Sequence, residues 1–130
     1  LIPHEEIVSH NMNDISTFEI GGYGEDLAMQ WLRERGFHIV ERNWRIGHYE
    51  IDIIAQHYDT LHFVEVKTRK AGGWQSAYDS IDQSKIRSLR RGATAFCAMR
   101  KISLLVQFDL IAVTTSENNP PTIDYVENIL

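Results

Sequence analysis

The spacing of apolar residues changes several times along the chain, and each change marks an element. Leu27, Ala28, Trp31 and Leu32 recur at helical spacing across residues 25–35, and Gly36 supplies a stop. The run Gly21-Gly22-Tyr23-Gly24 ahead of them reads as a flexible lead-in. Residues 37–42 read as a short strand, and residues 43–48 as a connection that turns at Gly47. From residue 50 the spacing falls to two, first in Glu50-Ile51-Asp52-Ile53-Ile54 and then in Leu61-His62-Phe63-Val64-Glu65-Val66-Lys67-Thr68-Arg69. Only Ala55-Gln56-His57-Tyr58-Asp59-Thr60 separates them, which predicts a hairpin. Residues 81–99 return to helical spacing, with Ile86, Leu89, Ala93, Phe96 and Cys97 on one face. Residues 102–113 form a nearly continuous apolar run, expected to be a strand buried on both faces. After a loop carrying Asn119-Pro120-Pro121, residues 122–129 read as a final strand or a short helix. The order helix, three strands, helix, strand, strand predicts an α/β sandwich around a mixed sheet.

The hairpin carries the candidate chemistry. A turn about Tyr58-Asp59 sets Asp52 opposite Glu65 and Glu50 opposite Lys67, and puts Ile51 and Ile53 with Val66 and Val64 on the other face. Directly opposed carboxylates repel at a Cβ separation of about 5 Å. A divalent cation between them would remove the repulsion, and a hard ion such as magnesium prefers carboxylate and carbonyl oxygens. Lys67, two residues beyond Glu65, points at the same place, where an amine can stabilise a phosphate or orient a metal-activated water. The ordinary reading of alternating charges is a solvated strand face. Against it, these charges sit in the middle and at the exit of an otherwise apolar strand. Glu25 lies on the inward side of its helix near the start, where the ordinary role is to complement the helix dipole. Lys85 falls near the start of the second helix, within reach of the hairpin. His48 shares a face with Glu50 and Asp52 but reads as a surface histidine near a turn.

Composition narrows the setting. A chain of 130 residues makes one domain, taken as residues 21–130 behind a flexible leader at 1–20. No apolar stretch reaches the length of a membrane span, and the first residues carry no signal-peptide core. One cysteine, Cys97, excludes an internal disulfide and suits a reducing, cytoplasmic setting. The six histidines show no zinc spacing. Net charge is −5, which argues mildly against a nucleic-acid partner, but its distribution argues the other way. Residues 67–101 hold nine basic residues against two acidic ones, a net of +7, while the remainder holds four against 16, a net of −12. That asymmetry fits one phosphate-facing surface on an acidic body, and an exposed basic helix is the plainer alternative. The Gly72-Gly73 loop with Trp74 and Tyr78 reads as a lid, a substrate-contacting loop or a connector.

Taken in order, Gly24-Glu25-Asp26-Leu27-Ala28, Leu32, Gly36, Asn43-Trp44-Arg45, the Glu50 and Phe63 strands, Lys85 and Phe108-Asp109 resemble the YraN-like family of small bacterial proteins, over about residues 21–130. The resemblance implies a restriction-endonuclease-like α/β fold, a central mixed sheet flanked by helices, with a PD-(D/E)xK site similar to that of Holliday-junction resolvases. It implies Asp52 and Glu65 as metal ligands for Mg2+ or Mn2+, Lys67 as the catalytic lysine, and Glu25 as a helix-borne acid contributing to catalysis and the metal. Glu50 and Lys85 would support the site. Arg69, Lys70, Lys85, Arg87, Arg90 and Arg91 would contact nucleic-acid phosphates. The activity implied is metal-dependent hydrolysis of DNA phosphodiester bonds, at branched or junction structures, and a homodimer would suit a two-fold substrate. The alternatives are a non-catalytic module for nucleic acid or protein on the same fold, and an enzyme acting on RNA. Gln107 departs from the family pattern, which usually has arginine before Phe108-Asp109, so a basic contact is expected to be absent there.

Overall fold

A computed structural model describes residues 17–72 and 82–130. Residues 1–16 of the expected leader, and the loop residues Trp74 and Tyr78, lie outside the described residues. The first helix, α1, spans Thr17–Glu34. It therefore begins ahead of the glycine run that reads as a lead-in, and those glycines are helical. Tertiary packing explains one of them. A Cβ on Gly24 would clash with the Thr68 side chain, so glycine eases the approach of α1 to the sheet here. The helix ends where expected, with Phe37 N–H bonded to Leu32 O and Gly36 at φ 88°.

Strands β1 (His38–Ile46), β2 (Tyr49–His57) and β3 (Thr60–Lys70) follow. Then come α2 (Gln83–Arg100), β4 (Leu105–Thr115) and β5 (Thr122–Val126), the last a strand and not a helix. β1 is longer than the sequence suggests because it continues through Asn43, which takes a left-handed φ of 52° without ending the ladder. The sheet order is β1-β2-β3-β4-β5. Only β3 and β4 are parallel, and α2 makes the crossover that a parallel pair requires.

The two helices cover opposite faces. Leu27, Ala28 and Leu32 of α1 pack with Ile53, Ala55, Val64, Ile111 and Val113. Leu89, Ala93 and Phe96 of α2 pack with Ile51, Ile54, Phe63, Leu110 and Ala112. β4 is thus buried on both faces, as its continuous apolar run predicts.

The hairpin register holds from His57↔Thr60 to Ile53↔Val64, and there the ladder ends. The expected sharing of one face by Ile51 and Ile53 does not hold. Ile51 joins the α2-side core and Ile53 the α1-side core, although one residue separates them. The partner strand explains the switch. Trp44 pairs with Ile51 and Arg42 with Ile53, and Asn43 between them has positive φ. Both strands therefore reverse their facing at one level, and Asp52 sits at the reversal.

Candidate functional site: an acidic pair where two strands part

Where β2 leaves β3, the Val66 N–H bonds a side chain instead of a strand. It donates to Asp52 Oδ2 at 2.9 Å. The Asp52 and Glu65 side chains are close enough for Glu65 to act on the Asp52 carboxyl, and Glu65 is only 3% exposed. Burial, and then Glu65, push the Asp52 carboxyl up to about 8, against the opposite pull of the Val66 N–H and Lys85.

The amine that completes this cluster is not the expected one. Lys85 Nζ lies 3.0 Å from Glu65 Oε2. Burial favours neutral Lys85, but Glu65, Asp52 and Glu50 outweigh it and raise its pKa. Asp82, the N-cap of α2, accepts from the Lys85 N–H and so fixes the backbone that carries the amine. Lys67 makes no ion pair among the described residues. Glu50 does not hold Lys67 either. It accepts from Arg45 Nη2 at 3.0 Å, across the β1–β2 ladder, because the reversal at Asp52 and the end of the β2–β3 ladder remove its expected opposite number.

Glu25 stands beside the pair without joining it. Arg42 Nε donates to Glu25 Oε1 at 3.2 Å, while its other nitrogens bond Asp26 and the Gly22 carbonyl. Burial raises the Glu25 pKa, and the negative charge of Asp52 raises it further, against hydrogen bonds from Arg42 and Asn43. The two acids therefore feel each other. Even so, among the described residues no three Asp, Glu, His or Cys side chains converge as a metal site. The donors that fit a hard cation are the two carboxylates of Asp52 and Glu65, whose oxygens match magnesium or manganese chemistry. Arg42 and Asn43 are the partners that sequence reasoning missed. Asn43-Trp44-Arg45 was visible as a motif, but nothing in it signals positive φ.

The basic residues named as phosphate contacts lie on the end of β3 and on α2. Arg69 Nε bonds Thr114 Oγ1 at 3.1 Å, and Arg91 Nη1 bonds Tyr49 Oη at 3.3 Å. Lys70, Arg87, Arg90 and Arg91 are exposed, the last three on the helix that carries Lys85. His48 is exposed, as expected of a residue near a turn.

A second acidic centre is structural. Asp109 is fully buried and accepts from His62 Nδ1 and Tyr125 Oη, each at 2.6 Å, from Gln107 Nε2 at 2.9 Å and from Asn128 N–H at 3.1 Å. Burial alone would raise its pKa, but these four donors bring it below the usual carboxylate value. Gln107 thus supplies a neutral contact at the position where a basic one was expected to be missing. On the α2 face, a cavity of about 600 Å³ opens among Arg90, Cys97, Val106, Phe108 and Leu130.

A five-stranded mixed sheet between two helices, with an acidic pair at the parting of its central strands, is compatible with the restriction-endonuclease-like class. Residues 24–113 match the model of the uncharacterised protein family UPF0102, and the chain belongs to that family, the one to which the YraN-like motifs point. A UPF0102 protein of Bacteroides thetaiotaomicron is 38% identical over 109 residues, covering 84% of this chain and 89% of its own. Its counterpart in Rhodococcus jostii is 40% identical over 111 residues, covering 84% and 93%. Among the described residues no helix is long and apolar enough to cross a membrane.

Proposed function

We propose that this protein is a divalent-cation-dependent endonuclease that hydrolyses DNA phosphodiester bonds, with Asp52 and Glu65 as the cation ligands. The observation that carries the reading is the pair itself. Two largely buried neighbouring carboxylates, edged by an ammonium on a basic helix, form an arrangement that stability alone disfavours. A bound Mg2+ or Mn2+ would supply a water of lowered pKa and polarise the phosphate.

The chain's own residues do the rest. Lys67, on the same face of β3 as Glu65 by strand alternation, donates N–H bonds to the attacking water and to the phosphate as charge develops. Glu25, held by Arg42, orders water around the two carboxylates. Arg87, Arg90 and Arg91 hold the backbone of the nucleic acid without reading bases. A reducing cytoplasm suits the lone thiol, and a homodimer would present two such sites to a two-fold junction. One observation favours the rival reading, a binding module without turnover: no third acid converges on the pair among the described residues.

The test is cleavage of matched four-way junction, linear duplex and RNA substrates with Mn2+. The wild type is expected to cut DNA, and Asp52→Asn and Glu65→Gln to lose about 100-fold or more in rate. Lys67→Ala should bind DNA as the wild type does and not cut it. Binding without cleavage by the wild type in Mn2+ would establish the rival.

A further inference from the structure

Lys85 makes the one ammonium contact to the acidic pair among the described residues. It stands in the first turn of α2, where a cation opposes the helix dipole and where the Asp82 cap bonds its backbone N–H and not its amine. What holds it there is the pair: Glu65 at 3.0 Å, with Asp52 and Glu50 adding to the attraction. The Glu65 side chain is 4% exposed and that of Lys85 is 36% exposed. The acid is therefore fixed in the interior, and the lysine reaches it from the surface on a flexible four-carbon stem.

We propose that Lys85 is the resident cation of the acidic pair in the metal-free protein, and that a divalent ion enters by displacing it. This deepens the proposed function and rests on its assignment of Asp52 and Glu65 as cation ligands. The ammonium occupies a lone pair of Glu65 Oε2 that a metal would use, and a dication beside an ammonium on the same oxygen would be repelled. Displacement needs only a swing of the side chain. The Lys85 backbone stays where the Asp82 cap holds it, so α2 does not unwind. The released ammonium then lies on the helix that presents Arg87, Arg90 and Arg91, one more cation for a phosphate. Ion binding thus adds a cation to the anion-binding surface.

The test is a calorimetric titration of the full chain with Mn2+ alone, on the wild type, Lys85→Met, Lys85→Gln and Asp52→Asn, with melting curves to verify folding. Removing the competitor should tighten Mn2+ binding by about fivefold or more in both lysine variants. Asp52→Asn should abolish it. Equal or weaker binding by the lysine variants, with binding still dependent on Asp52, overturns the displacement and leaves the metal site standing. Absence of Asp52-dependent binding in the wild type and in both lysine variants overturns the metal site and the displacement together.

Discussion

Asp52 shows how a single position concentrates the chemistry of this protein. It sits where two strands reverse their facing, accepts one backbone N–H and has Glu65 as its neighbouring acid. Its carboxyl has an ordinary value of 3.8 and is pushed up to about 8 in the fold, so the native state holds the proton more tightly than the unfolded chain. Its favourable contribution is then complete below the unfolded value and is lost as pH rises toward the folded one. Without metal, Asp52→Asn should gain stability relative to the wild type as melting curves move from pH 5 to pH 9. Added Mn2+ should raise the wild-type melting temperature and leave the variant's unchanged. A difference that does not vary with pH would mean the carboxyl is not held as described. The nearness of Asp52 and Glu65 was legible because turn length selects the register, which holds up to the neighbouring pair Ile53↔Val64. The hold of Arg42 on Glu25 was not, because it depends on how α1 lies across β1. The choice of Lys85 over Lys67 as the neighbouring amine depends likewise on where α2 starts.

At the scale of elements, the glycines of α1 illustrate what propensity misses. Each helical glycine costs about 1 kcal/mol relative to alanine, which is why the run reads as a flexible lead-in. Close approach to Thr68 outweighs that cost at Gly24. Gly24→Ala should destabilise by about 1–3 kcal/mol in urea melts, and Thr68→Ala should recover part of the loss. At Gly22 a Cβ would meet nothing within 4 Å, so Gly22→Ala should stabilise by up to about 1 kcal/mol. Equal effects at the two positions would contradict the close packing of α1 on β3. β2, β3, α2 and β4 were legible from period alone, whereas the second half of β1 was hidden by the left-handed Asn43. The choice of strand for β5 needed its pairing with β4, since residues of modest hydrophobicity fit a strand or a short helix.

At the scale of the molecule, the sign of the net charge misleads and its distribution informs. The chain is acidic at −5, but its +7 segment spans the end of β3 and all of α2, beside the acidic pair. DNA binding should weaken steeply with salt in a titration with Ca2+ present. Changing Arg87, Arg90 and Arg91 to glutamine should flatten the log–log slope by up to about 2.7, or about 0.9 for each lost phosphate contact. A slope unchanged by the three substitutions would remove α2 from the interface. The mixed sheet between two helices followed from element order. Its division into two cores followed from the continuous apolar run of β4. The buried Asp109 centre did not, because it gathers His62, Gln107, Tyr125 and Asn128 from parts of the chain that only the fold brings together.

The most direct test of the acidic pair is anomalous diffraction from crystals soaked in Mn2+. The expected result is a peak about 2.1 Å from a carboxylate oxygen of Asp52 and of Glu65, with Lys85 Nζ moved off Glu65. A map with no peak there, and with Lys85 Nζ still on Glu65, would contradict a cation site at this pair.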